Sequence, residues 1–286
     1  MINEKIWHEK LHRHIGQYFS IDKILYQKKN KYHDIVIFQN SIMGRIMVID
    51  DVLQTTEKDE FIYHEMLTHV PIFYHGFIKK VLIVGGGDGG ILREICRHNS
   101  IENITMVEID INVIELCKKF FPRHSNNAYK DPRLKIVIDN GLNFIKTTKE
   151  KFDLIISDST DPIGCGNDLF LSEFYLHCKN HLFENGIFVG QNGIFFLQKN
   201  NINQSYKKLK KYFNDVSFYQ ATIPSYYGGA MMFSWGTDNM DLRKINATNL
   251  EQRIKNTQLS FNYYNSKIHI SSFYLPEYIV NTLNKS

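Results

Sequence analysis

Acidic residues are spaced through the middle of this 286-residue chain in a pattern suited to holding a cationic nucleoside. Asp88 sits inside a glycine run, Gly85-Gly86-Gly87-Asp88-Gly89-Gly90. Glu108 follows twenty residues later in Met106-Val107-Glu108-Ile109-Asp110. Asp139 and Asn140 precede Gly141, and Asp158 and Asp161 stand three apart before Pro162. Glycine has no Cβ and tolerates positive φ, so Gly85, Gly86 and Gly87 let the main chain turn sharply and pass close to a ligand. An acid about twenty residues beyond such a turn is placed to accept hydrogen bonds from ribose hydroxyls. Glu108 suits that role, and Asp110 suits capping of the next helix. A side chain at 139 or 140 can hydrogen-bond an adenine edge before the turn that Gly141 permits. No P-loop lysine follows the glycines, and Asp88 would repel a pyrophosphate. The ligand is therefore expected to be an adenosine with no phosphate and a positive charge, which describes an S-adenosyl sulfonium compound. Carboxylates clustered without partners are costly, so Asp88, Asp158 and Asp161 imply further cations in the same cavity.

These residues need strand ends to hold them together. Val81 to Val84 reads as a buried strand, the glycines as a turn, and Ile91 onward as a helix, the opening of a nucleotide-binding α/β unit. Strands are predicted at 81–84, 104–108, 135–138, 153–157 and 186–190, and helices at 90–98, 111–119, 141–148, 172–182 and 201–212. Such alternation predicts a parallel sheet with helices on both faces. Two later β-like runs, 216–222 and 230–235, predict a hairpin at the sheet edge. Before the glycine loop, short runs at 24–26, 34–38 and 45–49 predict a small antiparallel sheet. A helix is then expected from an N-cap at Thr56 to about Pro71. The chain is thus divided into a β domain over 1–55 and an α/β domain over 56–286.

Composition narrows the function classes. Hydrophobic residues make up 43% and charged residues 22%, with a formal net charge of +4. No apolar run reaches the roughly 18 residues of a membrane span, and the first ten residues carry no apolar leader core. A cytoplasmic protein with reduced cysteines is expected. The lysines are scattered and do not form a basic, aromatic-interleaved patch, so nucleic acid is not an expected partner. His8-Glu9-Lys10-Leu11-His12 matches the zinc-protease pattern H-E-x-x-H, but it stands at the extreme N-terminus beside His14 and Gly16. A fortuitous match is expected, and no metal site.

With Gly16-Gln17-Tyr18-Phe19, Gln54-Thr55-Thr56-Glu57, Asp59-Glu60-Phe61-Ile62-Tyr63-His64-Glu65, Asp161-Pro162-Ile163-Gly164 and Ile223-Pro224-Ser225-Tyr226 added to the glycine loop, the chain resembles the polyamine aminopropyltransferases of the bacterial spermidine synthase type, nearly end to end. The resemblance implies a small N-terminal antiparallel β domain followed by a Rossmann-like, class I methyltransferase-type domain, assembled as a homodimer or homotetramer. It implies transfer of an aminopropyl group from decarboxylated S-adenosylmethionine, a co-substrate and not a cofactor, to putrescine. Carried over by motif, Asp158 is the proton acceptor. Tyr63, Asp158, Asp161 and Tyr226 hold putrescine, while His64 and Asp88 hold the aminopropyl amine or the matching end of the product. Gly85, Gly86, Gly87, Glu108, Asn140 and Gly141 bind the nucleoside, together with His33 and Cys165. The family often has Gln at position 33, commonly Asp at 140 and commonly Pro at 165, so those three contacts depart from its pattern. A methyltransferase using ordinary S-adenosylmethionine is the alternative enzyme, and Asp88 argues against it by repelling the cofactor carboxylate. A non-catalytic polyamine or nucleoside binder is disfavoured by the presence of Asp158, Asp161 and both tyrosines.

Overall fold

The structure is a computed structural model that describes residues 5–162 and 164–285, with the main chain alone at Cys165. Six strands come first: β1 (Lys5–His8), β2 (Tyr18–Ile21), β3 (Lys23–Lys29), β4 (Asp34–Asn40), β5 (Gly44–Ile49) and β6 (Val52–Thr56). β1 and β2 pair antiparallel, and β3 to β6 form a four-stranded antiparallel meander. The three predicted β runs lie in β3, β4 and β5. β1, β2 and β6 were not predicted. The alternation of β4 divides its side chains between two clusters. Ile35 and Ile37 face the second unit, against Val113, Leu116 and Phe121, while Phe38 packs with Trp7, Ile46 and Leu53.

The long helix α1 (Glu60–His75) differs from expectation at both ends. Thr56 finishes β6, and Asp59 occupies the N-cap position with no side-chain bond to its own helix. Pro71 lies inside the helix and removes one backbone donor. Residues 62 to 74 are nevertheless all buried, and that packing carries the helix to His75, where Gly76 ends it with φ 85°.

The α/β unit follows as β7 (Lys80–Gly85), α2 (Gly90–Cys96), β8 (Asn103–Glu108), α3 (Ile111–Phe120), α4 (Pro122–Ser125), β9 (Leu134–Ile138), α5 (Gly141–Thr147), β10 (Phe152–Asp158), α6 (Ser172–Asn180), β11 (Leu182–Ile194) and α7 (Phe195–Leu209). An antiparallel pair, β12 (Asp215–Thr222) and β13 (Ala230–Thr237), then closes one edge. The strand order is β12-β13-β11-β10-β7-β8-β9, parallel from β11 to β9, as the alternation and the hairpin signal predicted. Burial on both faces is visible in β7, where Val81 and Ile83 pack into the cluster of α1 and α2 and Leu82 and Val84 into that of α5 and α6. Helices α8 (Ala247–Thr257), α9 (Ser266–Ser271) and α10 (Glu277–Asn284) had no predicted counterpart. No helix among the described residues is long and apolar enough to cross a membrane.

Candidate active site

Parallel strands leave their carboxyl ends along one rim of the sheet, where open α/β sheets bind ligands. One cavity at that rim is lined by His33, Tyr63, His64, Asp88, Glu108, Asn140, Asp158, Asp161 and Tyr226, together with Gly85, Gly86, Gly87 and Gly141. Every predicted site residue therefore meets in one place, except the side chain of Cys165, which lies outside the described residues.

The glycine loop is shaped by its neighbours. β7 and β10 pair with Gly85 opposite Asp158. Gly85 has φ 85°, and a Cβ there would stand 1.9 Å from the Asp158 carbonyl oxygen. Only glycine combines that conformation with that approach. A Cβ at Gly87 would come within 2.6 Å of Glu108 Oε2, so this glycine leaves space for the acid on β8. Asp88 Oδ1 accepts from Gly90 N at 2.9 Å, which fixes its carboxylate against the turn into α2.

Helix α1 supplies Glu60, Tyr63 and His64 within two turns. The His64 ring bridges two acids, with Nδ1 2.5 Å from Glu60 Oε2 and Nε2 3.1 Å from Asp88 Oδ2. Arg93 in turn clamps Glu60 with two bonds, at 2.8 and 2.9 Å. Burial alone would lower the His64 pKa, but the two carboxylates outweigh it and push it up to about 10. Burial would likewise raise Asp88, yet the imidazolium overrides this and holds Asp88 below the usual carboxylate range. The ligating atoms of His64, Asp88 and Asp158 lie within 4.8 Å of one another, a spacing compatible with a metal. A protonated imidazole bonded at both nitrogens has no lone pair to give one.

Asp158, at the end of β10, accepts from the Tyr63 hydroxyl at 2.6 Å. Burial and the neighbouring Asp88 push its pKa up to about 6, against the opposing pull of His64 and Tyr63. The Tyr226 hydroxyl donates to the Gln54 carbonyl at 2.5 Å. Both tyrosines have thus committed their one proton, and their oxygen lone pairs are left to accept from a cation.

At the opposite end, burial pushes Glu108 up to about 7. Asp110 caps α3 as expected, accepting from Asn112 N at 2.9 Å. Asn140 is the N-cap of α5. Its Oδ1 accepts from Leu142 N and Asn143 N, and its Nδ2 donates to Asp168 Oδ2 at 3.1 Å. The carbonyl expected to face adenine is therefore already engaged by the helix. His33 is buried with Nδ1 3.1 Å from Asp50 Oδ2.

Several lining residues escaped the sequence reading: Glu9, Gln54, Gln191, Gln198 and Tyr227. Glu9 is the acid of the H-E-x-x-H match. The motif is not helical, since His8 ends β1, but Glu9 is buried at the cavity and burial raises its pKa. Asp161 accepts from Gln198 Nε2 and is also raised by burial. The signal for Glu9 is a lone acid between Trp7 and Leu11, masked by the histidines of the H-E-x-x-H match.

The cavity thus sets the glycine loop and Glu108 in one lining with the carboxylates of Asp88, Asp158 and Asp161. The family model described as spermine/spermidine synthase domain matches residues 60–249, and that described as spermidine synthase tetramerisation domain matches residues 6–57. The polyamine aminopropyltransferase of Buchnera aphidicola subsp. Schizaphis graminum (strain Sg) is 85% identical over 286 residues, covering 100% of both chains. That of Pectobacterium carotovorum subsp. carotovorum (strain PC1) is 54% identical with the same coverage. A crystal structure of spermidine synthase in complex with the transition-state analogue AdoDATO aligns with a TM-score of 0.94 at 34% identity, covering 99% of this chain and 96% of the other. Spermidine synthase from Thermotoga maritima aligns at 0.92 with the same identity and coverage. The chain belongs to the spermine/spermidine synthase family, and its activity is that of a polyamine aminopropyltransferase.

Proposed function

We propose that the enzyme transfers the aminopropyl group of decarboxylated S-adenosylmethionine to putrescine, with Asp158 receiving the proton. The diamine nitrogen attacks the aminopropyl carbon bonded to sulfur, a C–N bond forms, and the C–S electron pair returns to sulfur to give methylthioadenosine. The observation that supports this reading most is the convergence of Tyr63, Asp88 and Asp158 beside the glycine loop, within one cavity.

An alkyl ammonium loses its proton near pH 10, about six units above an ordinary Asp. With Asp158 raised to about 6, that gap narrows to about four. The sulfonium beside the amine lowers the amine pKa further. Asp158 thus orients the ammonium and takes its proton as attack begins, and fixed geometry supplies much of the rate. Tyr63 and Tyr226 present oxygen lone pairs to the reacting nitrogen. Asp88, kept ionised by His64, holds the aminopropyl ammonium. Glu108 takes the ribose hydroxyls, and His33, Asn140 and Gly141 surround the base. Glu9 and Asp161 face the far ammonium of the diamine. Residues 1–55 form one domain and 56–286 the other. The match to a tetramerisation domain supports assembly of the chain as a homodimer or homotetramer.

Incubating the protein with decarboxylated S-adenosylmethionine and a series of diamines, and identifying products by mass, tests this. Spermidine and methylthioadenosine are expected from putrescine. Absence of both products, or preference for another acceptor, would overturn the reading.

A further inference from the structure

Gln17 belongs to the Gly16-Gln17-Tyr18-Phe19 motif, yet it does not line the cavity and takes no part in the proposed chemistry. Its amide nonetheless bridges two of the walls. Nε2 donates to Glu9 Oε2 at 2.9 Å and to the Ser225 carbonyl at 2.7 Å, while Oε1 accepts from Tyr227 N at 3.2 Å. Its own carbonyl accepts from Glu9 N at 3.0 Å. Glu9 Oε1 is held separately by Leu53 N at 2.9 Å.

The loop at 224–229 is under tension of another kind. Tyr227 has φ 57°, a left-handed conformation that is unfavourable for a bulky side chain. The loop is kept there by Asp59, which accepts from Ser225 N at 2.7 Å and Ser225 Oγ at 3.1 Å, and by Gln17 from the opposite side. Tyr226 and Tyr227, carried by this loop, line the cavity together with Glu9.

We propose that Gln17 is a positioning residue that fixes this wall of the amine cavity, and with it the length of diamine accepted, by tying Glu9 to the loop carrying Tyr226 and Tyr227. The proposal rests on the acceptor reading given above. A primary amide is required here because one group must donate to a carboxylate and a carbonyl and accept from a backbone N–H at the same time. A glutamate of equal size would keep the acceptor and place a second carboxylate against Glu9.

The test uses the full-length enzyme and compares putrescine with the five-carbon diamine cadaverine in wild type, Gln17→Ala and Gln17→Glu. Wild-type turnover with putrescine checks the underlying reading on its own. In Gln17→Ala, the KM for putrescine should rise about tenfold, the effect of losing a hydrogen bond to a charged group. The kcat/KM ratio of putrescine to cadaverine should fall at least about threefold, by the same loosening. Methylthioadenosine affinity, measured by calorimetry, should stay at the wild-type value. Gln17→Glu should be at least as impaired as Gln17→Ala. Equal losses for both diamines, an unchanged putrescine KM, weakened nucleoside binding, or a Gln17→Glu enzyme milder than Gln17→Ala would each overturn the proposal, because a packing role predicts them.

Discussion

At the end of the cavity proposed for the nucleoside, the glycine loop, Glu108 and Asn140 project from the carboxyl ends of three adjacent strands, β7, β8 and β9. At the end proposed for the amine, Glu9, Gln17, Gln54, Asp59 and the loop at 224–229 are joined by side-chain bonds that span up to 210 positions. The first end is set by main-chain pairing within the sheet. The second depends on individual polar contacts between the N-terminal sheets and the α/β unit. Changes at the amine end should therefore alter acceptor kinetics while leaving nucleoside binding intact, and changes at the nucleoside end should do the reverse.

The strongest break in this contrast is at Asp158, where the two ends meet. Asp158→Asn should lower kcat by at least about 10²-fold, the lower range for a proton-transfer group, with methylthioadenosine affinity within about twofold of wild type. Single-turnover assays and calorimetry on the same preparation decide it, and near-normal turnover would remove Asp158 from its proposed role.

Asp59→Ala comes next. It leaves Ser225 N, Ser225 Oγ and Thr56 Oγ1 without their buried acceptor, which costs about 1–3 kcal/mol for each group left unpaired. Denaturant unfolding should show that loss, and the putrescine KM should rise more than the KM of the nucleoside substrate. Equal rises would mean that the loop serves both ends.

At the nucleoside end, Glu108 has a pKa raised by burial to about 7 in the free enzyme. In the proposed binding mode ribose hydroxyls donate to the ionised acid, so affinity is full above that pH and lost as pH falls through it. Methylthioadenosine binding should weaken by up to about tenfold per pH unit below 7. Glu108→Gln should flatten the profile, and a wild-type profile that is already flat between pH 5 and 8 would contradict the assignment.

The smallest effect is expected at Asn140. Restoring the aspartate common in the family would set a carboxylate against Asp168, where Asn140 now donates. Asn140→Asp alone should weaken nucleoside binding about three- to fivefold, within the range of a like-charge contact near solvent. Asn140→Asp combined with Asp168→Ser should recover it. A gain in affinity from the single change would show that Asp168 does not oppose it.

The nucleoside end was legible in the sequence because strand, turn and helix are local, and a strand end fixes where its last side chain points. Asp110 caps α3 as its position suggested, and Glu108 accepts from the Asp110 N–H at 3.0 Å. Elements read less well where tertiary packing overrode local signals. Pro71 reads as a helix terminator, but burial on every side carries α1 past it. Thr56 has the right chemistry for an N-cap, yet its hydroxyl bonds Asp59 within a strand-to-helix turn. Glu9 was hidden inside a pattern that belonged to a different chemistry, and nothing local ties Gln17 to residues 225 and 227. Long-range polar contacts of that kind leave no periodic trace.

The contact between Gly85 and the Asp158 carbonyl has a consequence for how such an enzyme can diversify. The proposed proton acceptor and the proposed nucleoside loop are geared through one backbone-to-backbone approach, so on that reading a lineage cannot reshape its donor site without dragging the reacting centre with it. The amine wall hangs on exchangeable side chains and has no such gearing. New acceptors are therefore reachable one substitution at a time, while the donor stays the same.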